Sequence, residues 1–100
     1  MAIKYKKESY LSFRMYEIFT ANSKTEKLLR GYILMNPKIK EKLDKLKQNP
    51  KKEIGAHPLH GKFKGKFACW LESNLRAIYT INEKTKLIII EAVGTHKIYQ

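Results

Sequence analysis

Three histidines, His57, His60 and His96, are the side chains of this 100-residue chain that ordinarily titrate near neutral pH. Two imidazoles can divide a proton-transfer reaction between them, one taking a proton and the other giving one. Cleavage of RNA without a metal is such a reaction. The 2′-hydroxyl beside the scissile bond must lose its proton, the leaving 5′-oxygen must gain one, and the crowded phosphate needs cationic support. A zinc site is the competing use of the same residues, because His57 and His60 are three apart and Cys69 and His96 would complete a set. That spacing matches no standard ligand pattern, so neither a metal nor another cofactor is expected. The chain has no glycine-rich phosphate loop, GxSxG elbow or paired-carboxylate motif. Glu72 and Glu91 stand alone, without an evident partner.

The charge balance points the same way. Lysine and arginine number 21 against 9 acids, a formal net charge of +12. Such an excess repels itself unless an anionic partner or strong solvation offsets it, and nucleic acid is the first candidate. An acidic protein is the second and an anionic membrane the third. One hundred residues make one domain, and 43% apolar composition is enough for a core. A lone cysteine, Cys69, suits a reducing cytosol. No apolar run approaches the roughly 20 residues that span a bilayer, and the basic N-terminus lacks the apolar stretch of a signal peptide. The expected location is therefore cytoplasmic, with no membrane partner.

Several elements must position the histidines. Residues 1–12 form a basic and aromatic extension (Lys4, Tyr5, Lys6, Lys7, Tyr10), and 13–100 form the domain. The stretch from Phe13 to Thr20 predicts a first strand. Ser23 with Glu26 three residues on is a capping-box pattern, followed by Leu28, Leu29, Tyr32 and Ile33 at helical spacing. Asn36-Pro37 ends that helix and starts a second, with Ile39, Leu43 and Leu46 on its apolar side, until Asn49-Pro50 stops it. After a loop to Gly61, three strands are expected at about 62–71, 75–81 and 86–93, with turns at Ser73-Asn74 and 82–85. The order predicts an α+β fold: an N-terminal strand, a two-helix hairpin, then a three-stranded antiparallel sheet.

The strand expected at 62–71 separates a core face from a groove face. Phe63, Phe67, Cys69 and Leu71 alternate with Lys62, Lys64, Lys66, Ala68 and Trp70. A three-residue turn would pair Leu71 with Leu75 and set Arg76 opposite Trp70, on the lysine face. A two-residue turn would set it opposite Leu71, so the longer turn is preferred. A concave face bearing Lys62, Lys64, Lys66, Trp70 and Arg76 suits single-stranded RNA, since cations neutralise phosphates and an aromatic ring can stack a base. A solvated sheet face guarded by lysines is the plainer reading of the same pattern.

Particular residues carry a resemblance. His-Pro-Leu-x-Gly at His57–Gly61, the Lys-Gly step at Lys64-Gly65, Ile78-Tyr79 and Gly-Thr-His at Gly94–His96 together resemble YafQ-like toxins of the RelE superfamily. The preceding strand and helical hairpin are similar to those of the wider superfamily, so the resemblance runs from about Phe13 to Tyr99. It implies a RelE-like microbial-ribonuclease-type fold. It also implies a toxin of a type II toxin–antitoxin system: a ribosome-dependent endoribonuclease that cuts mRNA in the A site without a metal. Such a toxin is held inactive by a cognate acidic antitoxin. Carried over by position, His57 and His96 match the motif histidines. Arg76 stands where the RelE and YoeB branches place a catalytic arginine, and Tyr99 stands one residue short of an aromatic position after the last strand. The implied roles are His96 as general acid, His57 as base or base-orienting partner, and Arg76 with Lys64 or Lys66 at the phosphate. Two positions depart from the YafQ pattern: Trp70 replaces a second-strand histidine and Asn74 replaces a turn aspartate.

Two rival functions share these features. A ParE-like toxin would use the same fold to inhibit DNA gyrase by binding it, and a non-catalytic RNA-binding protein would hold RNA salt-sensitively without cutting it. Histidines at both ends of the expected groove favour cleavage, because a gyrase binder does not need them.

Overall fold

Two segments of strong helical propensity sit between one short strand and a run of β-branched and aromatic residues. The computed structural model, which describes residues 15–99, packs the two helices against one face of the resulting sheet. The expected extension at 1–12, and Phe13 with it, lie outside the described residues. The elements run β1 (Glu17–Thr20), α1 (Ser23–Met35), α2 (Lys38–Gln48), β2 (His57–Pro58), β3 (Phe67–Glu72), β4 (Leu75–Asn82) and β5 (Leu87–Gly94). Short 3₁₀ turns lie at Glu53–Gly55, Gly61–Phe63 and His96–Tyr99. No helix of the described residues is long and apolar enough to cross a membrane.

The sheet differs from the expected three antiparallel strands. It has five, in the order β1-β5-β4-β3-β2. The N-terminal strand joins it, lying parallel to β5 with Glu17 opposite Leu87 and Thr20 opposite Ile90. A parallel neighbour needs a crossover, and the helical hairpin supplies it. At the other edge, His57 and Pro58 pair with Ala68 and Phe67 and make a two-residue strand of what the sequence suggested was loop.

Helix α1 is capped one residue earlier than expected. Asn22, not Ser23, accepts the Thr25 N–H at 2.9 Å, while Glu26 pairs with Arg30. Both residue types cap well, and the chain uses the first. At the hairpin, the Asn36 side chain accepts from the Lys38 N–H at 3.1 Å. Leu29 of α1 and Ile39, Leu43 and Leu46 of α2 pack against Cys69, Leu71, Leu75, Ala77, Tyr79, Ile88, Ile90 and Val93. Tyr79 is fully buried, and its hydroxyl donates to the Pro50 carbonyl at 2.6 Å, tying β4 to the end of α2. Cys69 is buried too, which pushes its thiol up to about 12, so it is an inert core residue.

β3 begins five residues later than expected. The chain from Gly61 to Lys66 folds on itself, with the Lys64 N–H donating to Gly61 and the Lys66 N–H to Phe63. The three lysines therefore do not alternate along a strand face. Phe63 is not a core residue either, since its ring meets Tyr99 edge-on at 6.1 Å. On β3 itself the alternation holds for Phe67, Cys69 and Leu71. The opposite face is less open than expected, because Ala68 and Ile78 are buried there, outside the main cluster.

Candidate active site

Arg76 faces Trp70 across β3 and β4, as the sequence suggested, but by another route. The turn is two residues long, Glu72 pairs with Leu75, and a β-bulge between Trp70 and Glu72 restores the register. The expected Leu71–Leu75 pair is not formed. A bulge inserts one residue on one strand, so it offsets the slip that a two-residue turn would cause.

Arg76 also pairs with Gly94 on β5. Immediately after Gly94 the chain folds into the 3₁₀ turn His96–Tyr99, with the Ile98 N–H donating to the Thr95 carbonyl at 3.0 Å. Gly94 allows this return, because a Cβ there would stand 2.6 Å from Ile98 Cγ2. The result brings His96 onto Arg76, with Nη1 and Nδ1 2.8 Å apart. Tyr99 closes the group: its ring lies 5.3 Å from that of His96, and the guanidinium carbon of Arg76 is 5.5 Å from its centroid. On the other side the same carbon lies 3.9 Å above the Trp70 ring. An open pocket of about 490 Å³ is lined by Trp70, Asn74, Arg76, Thr95, His96 and Lys97.

His57 stands apart from this cluster. It is exposed on the edge strand β2, opposite Ala68, and that register puts it on the face that carries Trp70 and Arg76. Ideal sheet spacing sets its Cα roughly 12 Å from that of Arg76. Its Nδ1 lies 2.9 Å from the Gly55 carbonyl oxygen.

The two rings are held by opposite partners. A guanidinium can only donate, so Nδ1 of His96 must accept, and in the neutral ring the proton sits on Nε2. A backbone carbonyl can only accept, so Nδ1 of His57 donates, and in the neutral ring Nε2 keeps its lone pair. One imidazole thus offers an N–H to solvent and the other a free lone pair.

The lysines separate into two kinds. Lys62 and Lys64 are exposed at the turn before β3, and Lys62 lies 5.3 Å from the Phe63 ring. Lys66 forms an ion pair with Glu91. Glu91 is the extra residue of a bulge in β5, between the Ile78–Ala92 and Tyr79–Ile90 pairs. Glu72 has a partner as well, accepting from Asn36 Nδ2 at 2.7 Å. Neither acid is isolated. His60 is exposed, and its backbone carbonyl accepts the Phe63 N–H. Among the described residues no cluster of three or more histidine, cysteine or acidic side chains could hold a metal.

Sequence reasoning gave no site role to Gly55, Thr95 or Lys97. Lys97 follows His96 directly, and that adjacency was the signal for it. Gly55 gave none, because its neighbours in space are distant in the chain.

No family model and no curated protein matches the sequence. Solved structures do. The DinJ–YafQ toxin–antitoxin complex of E. coli is 26% identical, with a TM-score of 0.59, covering 84% of this chain and 96% of that one. The RelBE2 toxin–antitoxin complex of Mycobacterium tuberculosis matches at a TM-score of 0.65 and 15% identity, over 82% of this chain and 99% of that one. The YoeB–YefM complex of Staphylococcus aureus matches at 0.63 and 17%, over 81% and 97%.

The chain has the fold of the RelE/YoeB toxins. In this RelE-type fold the Arg76–His96 pair sits at the end of the sheet where β4 and β5 meet the 3₁₀ turn, and the helical hairpin covers the other face.

Proposed function

We propose that the chain is the toxin of a type II toxin–antitoxin pair and a ribosome-dependent endoribonuclease, cutting mRNA by acid–base chemistry in which no metal takes part. The Arg76–His96 contact carries this reading, because it joins a phosphate-binding cation to an imidazole whose outward nitrogen holds a proton. In the proposed reaction the Nε2 lone pair of His57 accepts the proton of the 2′-hydroxyl, directly or by orienting a water. The 2′-oxygen attacks phosphorus and the bond from phosphorus to the 5′-oxygen breaks. As Arg76 turns its donors to the phosphate, His96 takes up a proton on the vacated Nδ1, and the resulting imidazolium gives its Nε2 proton to that leaving oxygen. The products are a 2′,3′-cyclic phosphate and a 5′-hydroxyl, and atoms and charge balance.

Arg76 has five N–H donors, one of them on His96 before substrate binds, so it can meet the phosphate as negative charge builds on it. Lys62 and Lys64 extend the cationic surface toward the flanking backbone, with Lys66 contributing less while Glu91 holds it. Tyr99, beside both His96 and Arg76, borders the reacting groups and would pack against the ribose or base. The A-site mRNA is the substrate and the ribosome the scaffold that presents it.

Several of the structures matched are complexes with antitoxins, and a net charge of +12 favours an acidic partner. An acidic segment laid over the site would neutralise Arg76 and the lysines and block substrate together. A cytoplasmic location follows from the substrate.

The test is cleavage of a defined mRNA on programmed ribosomes, mapped by primer extension, with the antitoxin-free chain and with a chelator that takes transition metals but leaves the ribosome's magnesium. The expected result is discrete A-site cuts that need ribosomes, persist in chelator and leave 2′,3′-cyclic phosphate ends. A folded chain that cuts nothing, or that blocks gyrase supercoiling instead, would overturn the reading.

A further inference from the structure

Trp70 is the sole tryptophan of the chain, and its surroundings argue against the base-stacking role that its type suggests. One face of its ring is taken by Arg76, whose guanidinium carbon lies 3.9 Å from the centroid. A base could stack there only by displacing the guanidinium, and the bond from Arg76 to His96 would go with it.

The pyrrole part of the ring rests on backbone. A Cβ at Gly55 would stand 2.6 Å from Trp70 Cδ1 and 3.3 Å from Nε1, so only glycine lets the main chain approach this closely. Gly55 takes φ +72, and Ile54 before it takes φ +45, a left-handed conformation that a β-branched residue rarely adopts. Strain of this kind persists where the surrounding structure needs it. Here the same turn delivers two things: the Gly55 Cα against the indole and the Gly55 carbonyl to His57 Nδ1.

We propose that Trp70, seated on Gly55, is a positioning residue for the nuclease reaction. Its ring fixes the plane of the Arg76 guanidinium so that Nη1 meets His96 Nδ1, which turns the Nε2 edge of His96 outward toward the substrate. An arginine on a strand end has many rotamers. Flanked by Trp70 at 3.9 Å and Tyr99 at 5.5 Å, it keeps the one that reaches His96. The flat aromatic face is the working feature, so phenylalanine should serve and an aliphatic side chain should not. The proposal rests on the acid–base reading above.

The test compares Trp70→Leu and Trp70→Phe with the parent by ribosome-programmed cleavage and by nitrogen-15 NMR of the His96 ring. For Trp70→Leu, kcat is expected to fall by on the order of tenfold to a hundredfold, as for a displaced catalytic group, with KM unchanged. Its Nδ1 and Nε2 signals should move toward a tautomer average, while Trp70→Phe keeps the parent's pattern and most of its kcat. Unchanged kcat and nitrogen signals in Trp70→Leu would overturn the proposal. So would a raised KM at constant kcat, which would make Trp70 a base platform.

A variant-free measurement stands beside these in case Trp70→Leu does not fold. A non-cleavable RNA, blocked at the reacting 2′-oxygen, is titrated into the parent until the His96 signals shift. Trp70 emission should then stay nearly constant, and strong quenching would mean that a base has displaced Arg76. A parent that cuts no mRNA would count against the nuclease reading. The nitrogen pattern would still report whether Trp70 holds the Arg76–His96 pair.

Discussion

The two ends of the sheet handle positive charge in opposite ways. At the β1 end, Glu83 in the β4–β5 turn pairs with Lys51 at 2.8 Å and accepts the Tyr16 hydroxyl, while Lys86 lies 4.8 Å from the Tyr16 ring. The cations there already have an acid. At the other end Arg76 enters no ion pair among the described residues and is held by an imidazole and two aromatic rings. Rings orient a cation without neutralising it, so Arg76 keeps its charge for an incoming anion. Lys66, tied to Glu91, lies between these extremes. A cation left without an acid beside a histidine marks a site better than the density of lysines does.

Changes at the unneutralised end should have the largest effects. His96→Gln is expected to slow cleavage by about 10²–10⁴-fold, the usual worth of a general acid, with the thermal midpoint unchanged. Full toxicity and full cleavage in that variant would remove His96 from the chemistry. Arg76→Lys should lose much of the rate as well, about tenfold or more, because lysine keeps the charge but lacks the planar fork. A rate equal to the parent's would mean that charge alone suffices and the guanidinium geometry is incidental.

The lysines offer a finer division. Lys64→Met should flatten the salt dependence of RNA binding more than Lys66→Met does, since the Lys66 charge is already offset by Glu91. Equal slopes in a salt titration would mean that the ion pair opens when RNA binds. In the core, Tyr79→Phe leaves the Pro50 carbonyl unpaired and should cost about 1–3 kcal/mol in denaturant unfolding, with cleavage at saturating ribosomes unaltered.

The smallest effect belongs to the neutralised end. Lys51, then Tyr16, hold the Glu83 carboxyl below its ordinary value near 4.5. A carboxylate lowered in the folded state adds stability that is fully present above its ordinary value. That contribution is lost as pH falls through the folded one. The gap in thermal midpoint between parent and Glu83→Gln should therefore narrow on acidification below about pH 4.5 and be small throughout, the group being exposed. A gap independent of pH would mean that the Lys51–Glu83 pair adds nothing.

Much of this arrangement is legible in the sequence, and the misses have physical causes. The seam of Ile39, Leu43 and Leu46 follows from helical periodicity. The facing of Trp70 and Arg76 follows from strand alternation, although the sequence cannot say that a bulge rather than a longer turn achieves it. The nearness of His96 to Arg76 is implied by the family resemblance, whereas its distance and partner atoms depend on the return after Gly94. The strand misread at 62–66 alternates lysine with phenylalanine and glycine, and Gly65 at φ +93 breaks the extended chain that this pattern suggests. The Lys66–Glu91 pair and the Gly55–Trp70 contact join segments far apart in the chain, which local pattern cannot reveal. The parallel β1–β5 pair is likewise a matter of crossover, not of local propensity.

The central claim is that His57 takes the proton of the 2′-hydroxyl and His96, as the imidazolium, gives one to the leaving oxygen. An mRNA with sulfur in place of the 5′-oxygen at the cleaved bond tests it most directly, since a thiolate leaves without being protonated. On programmed ribosomes, His96→Gln should recover cleavage on this substrate toward the parent's rate, whereas His57→Gln should stay slow on both substrates. Recovery in His57→Gln with none in His96→Gln would reverse the roles, and recovery in neither would contradict general-acid catalysis by these histidines.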